Sequence, residues 1–192
     1  MSNSGLIFLG PPGAGKGTQA AIIAEKFHIP HISTGEMLRQ AIASRTSLGQ
    51  KAQSYVDKGE LVPDELLLDL ILDRLLQDDA QPGWILDGFP RNLPQAEFLD
   101  GLLKDISQTC DCVLNLQVSD EFLVTRLLSR GRKDDNEETI RRRLKVYQEQ
   151  TAPVIGYYQA KGNLYSVDGS PSLAEVTTAL AQVIEPFFVS HN

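Results

Sequence analysis

The chain has 192 residues, of which 42% are hydrophobic and 22% are charged, and these values suit a single globular domain. Its formal net charge of −7 argues against a nucleic-acid-binding protein, because such proteins present a basic surface. Apolar runs such as residues 5–9 are much shorter than the roughly 20 residues of a membrane span, and no signal peptide is recognisable.

The two cysteines, Cys110 and Cys112, are separated by one residue. This spacing places both side chains on one face of an extended strand, where a disulfide between them would be strained. We therefore expect free, buried thiols and a cytoplasmic protein. Metal binding or redox chemistry is the less favoured alternative.

Short apolar strands alternate with longer helical segments along the chain. The strands are predicted at residues 5–9, 29–32, 84–87, 112–118 and 164–167. The predicted helices cover residues 16–27, a polar stretch at 35–58, a mostly buried leucine-rich helix from Pro63, and residues 92–104, 120–129, 137–161 and 172–188. This alternation is typical of an α/β protein with a parallel sheet and helices on both faces.

A glycine-rich loop, "GPPGAGKGT", follows the first predicted strand and leads into a helix. Its glycines allow successive backbone N–H groups to point at phosphate oxygens. The helix N-terminus and Lys16 add positive charge at the same place. The segment therefore predicts a P-loop that binds a nucleotide phosphate.

Gly17 occupies the position where many P-loops carry a Ser or Thr ligand for magnesium, and Thr18 comes one residue later. A direct hydroxyl ligand is not required, because Mg²⁺ in proteins keeps several of its waters. Asp87, at the end of its own predicted strand, is the candidate to hold Mg²⁺ through water. A helix cap or turn residue is the alternative for Asp87.

The chain resembles the adenylate kinase family, part of the nucleoside monophosphate kinases, along nearly its whole length. The motifs that carry the resemblance are "GPPGAGKGT" at 10–18, "HISTGEMLR" at 31–39, "LDGFPRNLPQA" at 86–96, "GRKDDNEETIRRRL" at 131–144 and "TAPVIGYY" at 151–158. Glycine after the P-loop lysine is the expected residue in that family. The resemblance implies Mg²⁺-dependent transfer of the terminal phosphoryl group of ATP to AMP.

The resemblance also implies a division of the chain into parts. A P-loop NTPase-type core with a five-stranded parallel sheet is expected at residues 1–32, 63–129 and 137–192. A small helical NMP-binding insertion is expected at 33–62 and a lid of the short type at 130–136. A monomer is expected.

The acceptor side is predicted from two motifs. Arg39 and Arg91 each offer a fork of donors that matches a monophosphate, with a surface ion pair as the alternative. The Gln95 amide has the donor and the acceptor that an adenine edge requires, or else faces solvent. By resemblance, AMP binding is assigned to a wider set: Thr34, Gly35, Arg39, Glu60, Leu61, Val62, Gly88, Phe89, Pro90, Arg91, Gln95, Arg132 and Arg143.

Six arginines and Lys133 crowd into residues 126–143 of an otherwise acidic protein. Arg126 and Arg130 share a helix face near its end, where cations also complement the helix dipole. Arg143 lies beside the apolar stripe of the next helix, whereas Arg141 and Arg142 point away and are predicted to be solvated.

By resemblance, Arg126 and Arg130 contact ATP, while Arg132 and Arg143 contact the transferring phosphates and AMP. The implied ATP site comprises Gly13, Ala14, Gly15, Lys16, Gly17, Thr18, Arg126, Arg130 and Pro171, and the catalytic set comprises Lys16, Arg91, Arg126, Arg130, Arg132 and Arg143. Asp134 and Asp135 resemble an acidic pair that orders the lid, although they could equally be surface charges. With no Cys or His in the lid, no structural zinc is expected.

The alternatives are a UMP/CMP kinase, a non-catalytic nucleotide sensor and a P-loop switch GTPase. A switch GTPase is disfavoured because no Asn here precedes a Lys, as its guanine-binding motif would require. The expected partners are the small molecules ATP and AMP, with no nucleic acid and no membrane.

Overall fold

The structure, a computed structural model, describes residues 4–132 and 136–188. Its centre is a five-stranded parallel sheet in the order β2-β3-β1-β4-β5. The strands are β1 (Ser4–Leu9), β2 (His31–Ser33), β3 (Gly83–Asp87), β4 (Thr109–Gln117) and β5 (Leu164–Asp168). The predicted five-stranded parallel sheet is confirmed.

Helices connect the strands and cover both faces of the sheet. They are α1 (Lys16–Phe27), α2 (Thr34–Ala43), α3 (Ser47–Lys58), α4 (Leu68–Leu75), α5 (Leu93–Asp105), α6 (Asp120–Arg130), α7 (Glu137–Val146), α8 (Ala152–Lys161) and α9 (Leu173–Phe188). In the part of the chain that is described, no helix is both long enough and apolar enough to cross a bilayer.

The central strand β1 is buried on both faces, which explains its continuous apolar sequence. Leu6 and Phe8 pack into one hydrophobic cluster, together with α1 and α9. Ile7 and Leu9 pack into a second cluster on the opposite face, together with α5 and α8. The carboxyl end of β1, and with it the P-loop, is therefore fixed by two cores.

The second strand begins later than predicted. The N–H groups of His28 and Ile29 still donate to carbonyls of α1, at 3.4 and 3.1 Å, so Ile29 belongs to the end of that helix. His28 has a φ of 55°, the left-handed conformation that often terminates a helix. The strand is consequently His31–Ser33 instead of residues 29–32.

The leucine-rich segment after Pro63 is less buried than predicted. It opens with a 3₁₀ turn, Asp64–Leu66, and α4 covers only Leu68–Leu75. Ile71 and Leu75 are fully buried, but Leu76 is 51% exposed. The segment is amphipathic because it packs on the sheet with one face and meets solvent with the other.

The helical segment after the lid is interrupted by one π-helical turn, Tyr147–Thr151, which joins α7 to α8. Pro153 has no N–H to donate to the carbonyl four residues earlier, and its ring crowds that carbonyl. The local widening is the physical consequence.

The two cysteines do not share a face of the sheet, so that prediction is wrong. The pairing of β1 with β4 shifts between Gly5, opposite Cys110, and Leu6, opposite Cys112, which leaves Asp111 as a bulge. Cys112 packs in the cluster of Leu6, and Cys110 packs against the opposite cluster. Both thiols are free, and burial raises the pKa of Cys112 to about 12.

The predicted helical insertion is built from α2 and α3, which pack against each other at close range. A Cβ atom on Gly49 would lie 2.1 Å from the carbonyl oxygen of Ala41. Thr46 caps α3 by accepting the N–H of Gly49 at 3.1 Å. A small separate hydrophobic cluster, Leu38, Ala52, Val62 and Leu67, supports the insertion.

Candidate active site

A cleft of about 670 Å³ opens at the carboxyl ends of β1 and β3. Ligands bind at this edge in open α/β sheets. The P-loop, the α2–α3 insertion, the residues around α6 and α7, and the segment before α9 all contribute to its walls. The cleft therefore combines the predicted donor and acceptor sides in one cavity.

The P-loop has the conformation that its glycines permit. Gly13 and Gly15 have φ angles of 87° and 94°, in the region that L side chains rarely adopt. The Lys16 ammonium folds over the loop and donates to the carbonyls of Gly10 and Pro11 at 2.8 and 3.0 Å. Its positive charge thus lies over the N-terminus of α1, where an anion is favoured.

Lys16 is surrounded by a low-dielectric wall and by other cations. Burial lowers its pKa to about 8; Asp87 opposes this shift, whereas neighbouring arginines, with Arg91 first among them, add to it. The excess of positive charge around Lys16 is the arrangement that a polyphosphate would neutralise.

Asp87 ends β3 directly beside the P-loop. A Cβ atom on Gly17 would lie 3.4 Å from its Oδ2, and His31 Nε2 lies 3.5 Å from the same oxygen. Burial disfavours the charged carboxylate, but His31 and the charge of Lys16 outweigh that effect and hold the pKa of Asp87 below its ordinary value. An ionised carboxylate at this place fits Mg²⁺ bound through water.

Among residues 4–132 and 136–188, no three His, Cys, Asp or Glu side chains are grouped to hold a metal ion.

The two acceptor-side arginines converge on one point. A Cβ atom on Gly35 would lie 3.3 Å from the Nη1 of Arg39 and 3.8 Å from the Nη2 of Arg91. Arg91 Nε donates to the Gly88 carbonyl at 2.6 Å, and burial lowers the pKa of Arg91, with Asp87 opposing and Arg39 adding to the shift. Two guanidinium groups this close favour a bound anion between them.

Gly88, the residue that directly follows β3, must be a glycine. Its φ is 84°, and a Cβ atom there would lie 2.6 Å from the Thr34 hydroxyl oxygen and 3.0 Å from Arg91. With Gly35, Leu61 and Pro90 it lines the cleft.

Five residues of the predicted AMP set do not line the cleft: Thr34, Glu60, Val62, Phe89 and Gln95. Thr34 is buried and donates from its hydroxyl to the Gly88 carbonyl at 2.8 Å. Val62 and Phe89 are packed in hydrophobic clusters. In this structure these residues support the wall of the cleft.

Gln95 is only 1% exposed, so the solvent-facing alternative is wrong. Its Oε1 accepts the backbone N–H of Arg91 at 2.6 Å, and its Nε2 donates to Asp64 Oδ1 at 2.6 Å. These partners fix which end of the amide is the donor, because a flip would place oxygen against carboxylate. One donor and one acceptor position remain on the amide.

Four further arginines from the cluster at residues 126–143 reach the cleft. Arg126, Arg130, Arg132 and Arg143 all line it, together with Pro171. Arg126 Nη1 donates to the Gly169 carbonyl at 3.1 Å, which joins α6 to the segment before α9. Gly131 ends α6 with a φ of 70°, so the chain turns immediately between Arg130 and Arg132.

The two remaining arginines of α7 differ from each other. Arg141 is exposed and pairs with Glu137 one turn earlier, as expected of a solvated residue. Arg142 was also predicted to be solvated; its side chain is 41% exposed, and its Nε donates to Glu60 Oε1 at 2.7 Å. This ion pair connects α7 to Glu60, two residues after the end of α3. Lys133, Asp134 and Asp135 of the predicted lid lie outside the described residues.

Four further residues of the cleft wall were not predicted as site residues, although His31 lies in a recognised motif: His31, Gly59, Tyr147 and Thr151. Gly59 has a φ of 71°, and a Cβ atom there would lie 2.9 Å from Arg143. Thr151 opens the "TAPVIGYY" motif, so its position was marked but its contact was not predictable.

The chain is similar in sequence to known proteins over most of its length. A family profile described as adenylate kinase matches residues 8–163. The chain is 60% identical over 182 residues to "Adenylate kinase 1" of Synechocystis sp., covering 95% of this chain and 97% of that protein. It is 61% identical over 175 residues to "Adenylate kinase 1" of Nostoc sp., covering 91% and 95%. A third relative, "Adenylate kinase" of Trichodesmium erythraeum, is 52% identical over 185 residues, covering 94% and 97%.

Proposed function

Because the chain belongs to the adenylate kinase family, we propose that its cleft is where the terminal phosphoryl group of ATP passes reversibly to AMP, giving two ADP. The observation that carries this assignment is the convergence of Lys16, Arg91 and the arginines of α6 and α7 on one cavity. One cation cluster serves the donor phosphates, and the other serves the acceptor phosphate.

We propose that ATP binds on the P-loop. Gly13 to Thr18 supply backbone N–H groups and the helix N-terminus, and Lys16 supplies a full positive charge. Arg126, Arg130 and Pro171 form the adjoining wall. Asp87 would hold Mg²⁺ through water, and the ion would supply further positive charge to the phosphate oxygens.

We propose that AMP binds between the insertion and β3. Arg39 and Arg91 would clasp its phosphate, since their guanidinium groups meet beside Gly35. The other residues of this site are Thr34, Gly35, Glu60, Leu61, Val62, Gly88, Phe89, Pro90, Gln95, Arg132 and Arg143. Where these do not line the cleft, they would act by supporting it or after movement of the insertion.

The transfer needs no protein base. The AMP phosphate is already ionised at neutral pH, so a lone pair on its oxygen can attack the terminal phosphorus of ATP directly. The bond from that phosphorus to the bridging oxygen breaks, and the electron pair leaves with ADP. Lys16, Arg91, Arg126, Arg130, Arg132 and Arg143 would neutralise charge on the transferring group and hold the two oxygens in line.

Water is the competing acceptor, so the two sides must close before transfer. We propose that residues 33–62 form the closing NMP-binding insertion and residues 130–136 a short lid, with residues 1–32, 63–129 and 137–192 as the core. A cytoplasmic monomer stays a prediction.

Acceptor specificity tests the assignment directly. With ATP as donor and a coupled ADP assay, AMP, UMP and CMP are compared as acceptors at equal concentration. We expect AMP to be used with a kcat/KM at least about 100-fold higher than that of CMP, since mismatched polar groups are strongly rejected. Equal or better use of CMP would assign the chain to the UMP/CMP kinases, and no turnover with any acceptor would indicate a sensor.

A further inference from the structure

The π-helical turn Tyr147–Thr151 borders the cleft. Such turns are rare and cost regular hydrogen bonding, and they frequently occur at functional sites. Here the turn follows α7, the helix that carries Arg143, and it faces the segment between β3 and α5. Its last residue, Thr151, is 8% exposed.

The Thr151 hydroxyl donates to the backbone carbonyl of Arg91 at 2.8 Å, across 60 positions of sequence. On the other side of the same residue, the Arg91 N–H donates to Gln95 Oε1 at 2.6 Å. Both backbone polar groups of Arg91 are therefore bound by side chains from two different elements. The Arg91 side chain is also anchored, through Nε, to the Gly88 carbonyl at 2.6 Å.

This two-sided attachment matters because Arg91 lies outside the hydrogen-bonding ladder of the sheet, in the turn after β3. The Arg91 guanidinium can hold the AMP phosphate in line with the terminal phosphate of ATP only if the Arg91 backbone varies in position by well under 1 Å. Gln95 supplies the fixed point on the side of α5. Thr151 supplies the fixed point on the side of the π turn after α7.

We propose that Thr151 is a positioning residue for phosphoryl transfer: by holding the Arg91 carbonyl, it sets Arg91 in register with Arg143, which lies on the same continuous helical segment. The proposal rests on the proposed role of Arg91 in binding AMP. The π turn, which Pro153 imposes, is thus the place at which this helical segment contacts Arg91.

The test compares Thr151→Val with Thr151→Ser. Valine keeps the shape but leaves the Arg91 carbonyl without its donor, whereas serine keeps the hydroxyl. We expect Thr151→Val to raise the KM for AMP about tenfold with an unchanged KM for ATP, and Thr151→Ser to restore most of the wild-type value. Thr178→Val is the matched control, because Thr178 is exposed and its hydroxyl bonds within its own helix, to Ala174 at 2.9 Å.

A double-mutant cycle separates this role from a general loss of fold. AMP dissociation constants are measured by calorimetry for Arg91→Ala, Thr151→Val and the double variant, together with melting temperatures. If Thr151 acts through Arg91, Thr151→Val has little further effect once Arg91 is removed. An equal effect in both backgrounds, or equal rises in the KM values for AMP and ATP, would overturn the proposal.

Failure of the underlying assignment gives a different result. If Arg91→Ala leaves AMP binding unchanged, the proposed role of Arg91 is wrong, and the inference about Thr151 is wrong with it. If Arg91→Ala weakens AMP binding strongly and Thr151→Val does not weaken it, only the inference about Thr151 is overturned.

Discussion

Lys16 shows how one residue links burial to function. Burial lowers its pKa to about 8, so the free protein loses this positive charge as the pH rises through that value. Bound phosphates favour the charged form and raise the pKa again. We therefore expect ATP binding to weaken above about pH 8 and to take up a proton, measured by calorimetry in buffers of different ionisation enthalpy between about pH 7 and pH 9.5.

Lys16→Met is the control variant for this residue. It should abolish the proton uptake and lower kcat by at least about 100-fold, while the fold is kept. Because the folded pKa of Lys16 lies below its ordinary value of 10.5, the unfolded chain binds that proton more tightly. The contribution of Lys16 to the free energy of unfolding thus rises with pH between those two values, and the Met variant should lack this rise. A wild-type ATP affinity independent of pH would contradict the account.

Individual side-chain roles were predictable where chemistry and local pattern agreed. Arg143 was predicted from its helix face, and it lines the cleft. Arg142, its neighbour, was predicted to be solvated because its helix face is polar, yet it pairs with Glu60, 82 positions away. Local periodicity gives the direction of a side chain, but the partner comes from the long-range folding of the insertion.

At the scale of single elements, the insertion depends on the close approach of α2 and α3 at Gly49. Gly49→Ala should lower the free energy of unfolding by about 1–3 kcal/mol, because the new methyl group collides with the α2 backbone. Since the insertion carries Arg39, the KM for AMP should rise as well. Thermal unfolding and steady-state kinetics measure the two effects.

Gly101→Ala, on an exposed part of α5, is the matched control. A Cβ atom there meets nothing within 4 Å, so alanine should raise the free energy of unfolding by about 0.5–1 kcal/mol through its higher helix propensity. Shifts in melting temperature of the same sign for both variants would show that α2 and α3 do not pack as described.

Two helix starts were predicted correctly, at residues 16 and 137. The second is marked by a cap, because the Asn136 side chain accepts the N–H of Thr139 at 2.9 Å. Predictions about the strands were wrong where contacts between elements decide the local structure. The bulge at Asp111 separates Cys110 from Cys112, and it arises from the register between two strands. A two-residue alternation within one strand contains no information about that register.

For the whole molecule, the fold class followed from the order of strands and helices, because short buried strands alternating with helices form parallel sheets. The motifs at the strand ends supply part of the cleft wall, including Lys16, Gly88 and Arg91. The contacts between the insertion and α7 could not be predicted, namely Arg142 with Glu60 and Thr139 with the Asp57 carbonyl at 3.3 Å. Each of these contacts joins residues 82 positions apart, and a local sequence pattern contains no information about such pairs.

The central claim is that two phosphorylated nucleotides meet head to tail in one cationic cleft. A crystal structure with a ligand of two adenosines joined through a polyphosphate chain tests it most directly. The account predicts one ligand spanning the cleft, with one end on the P-loop at Lys16 and the other beside Arg39 and Arg91. Density confined to one side, or lying outside the cleft, would contradict it.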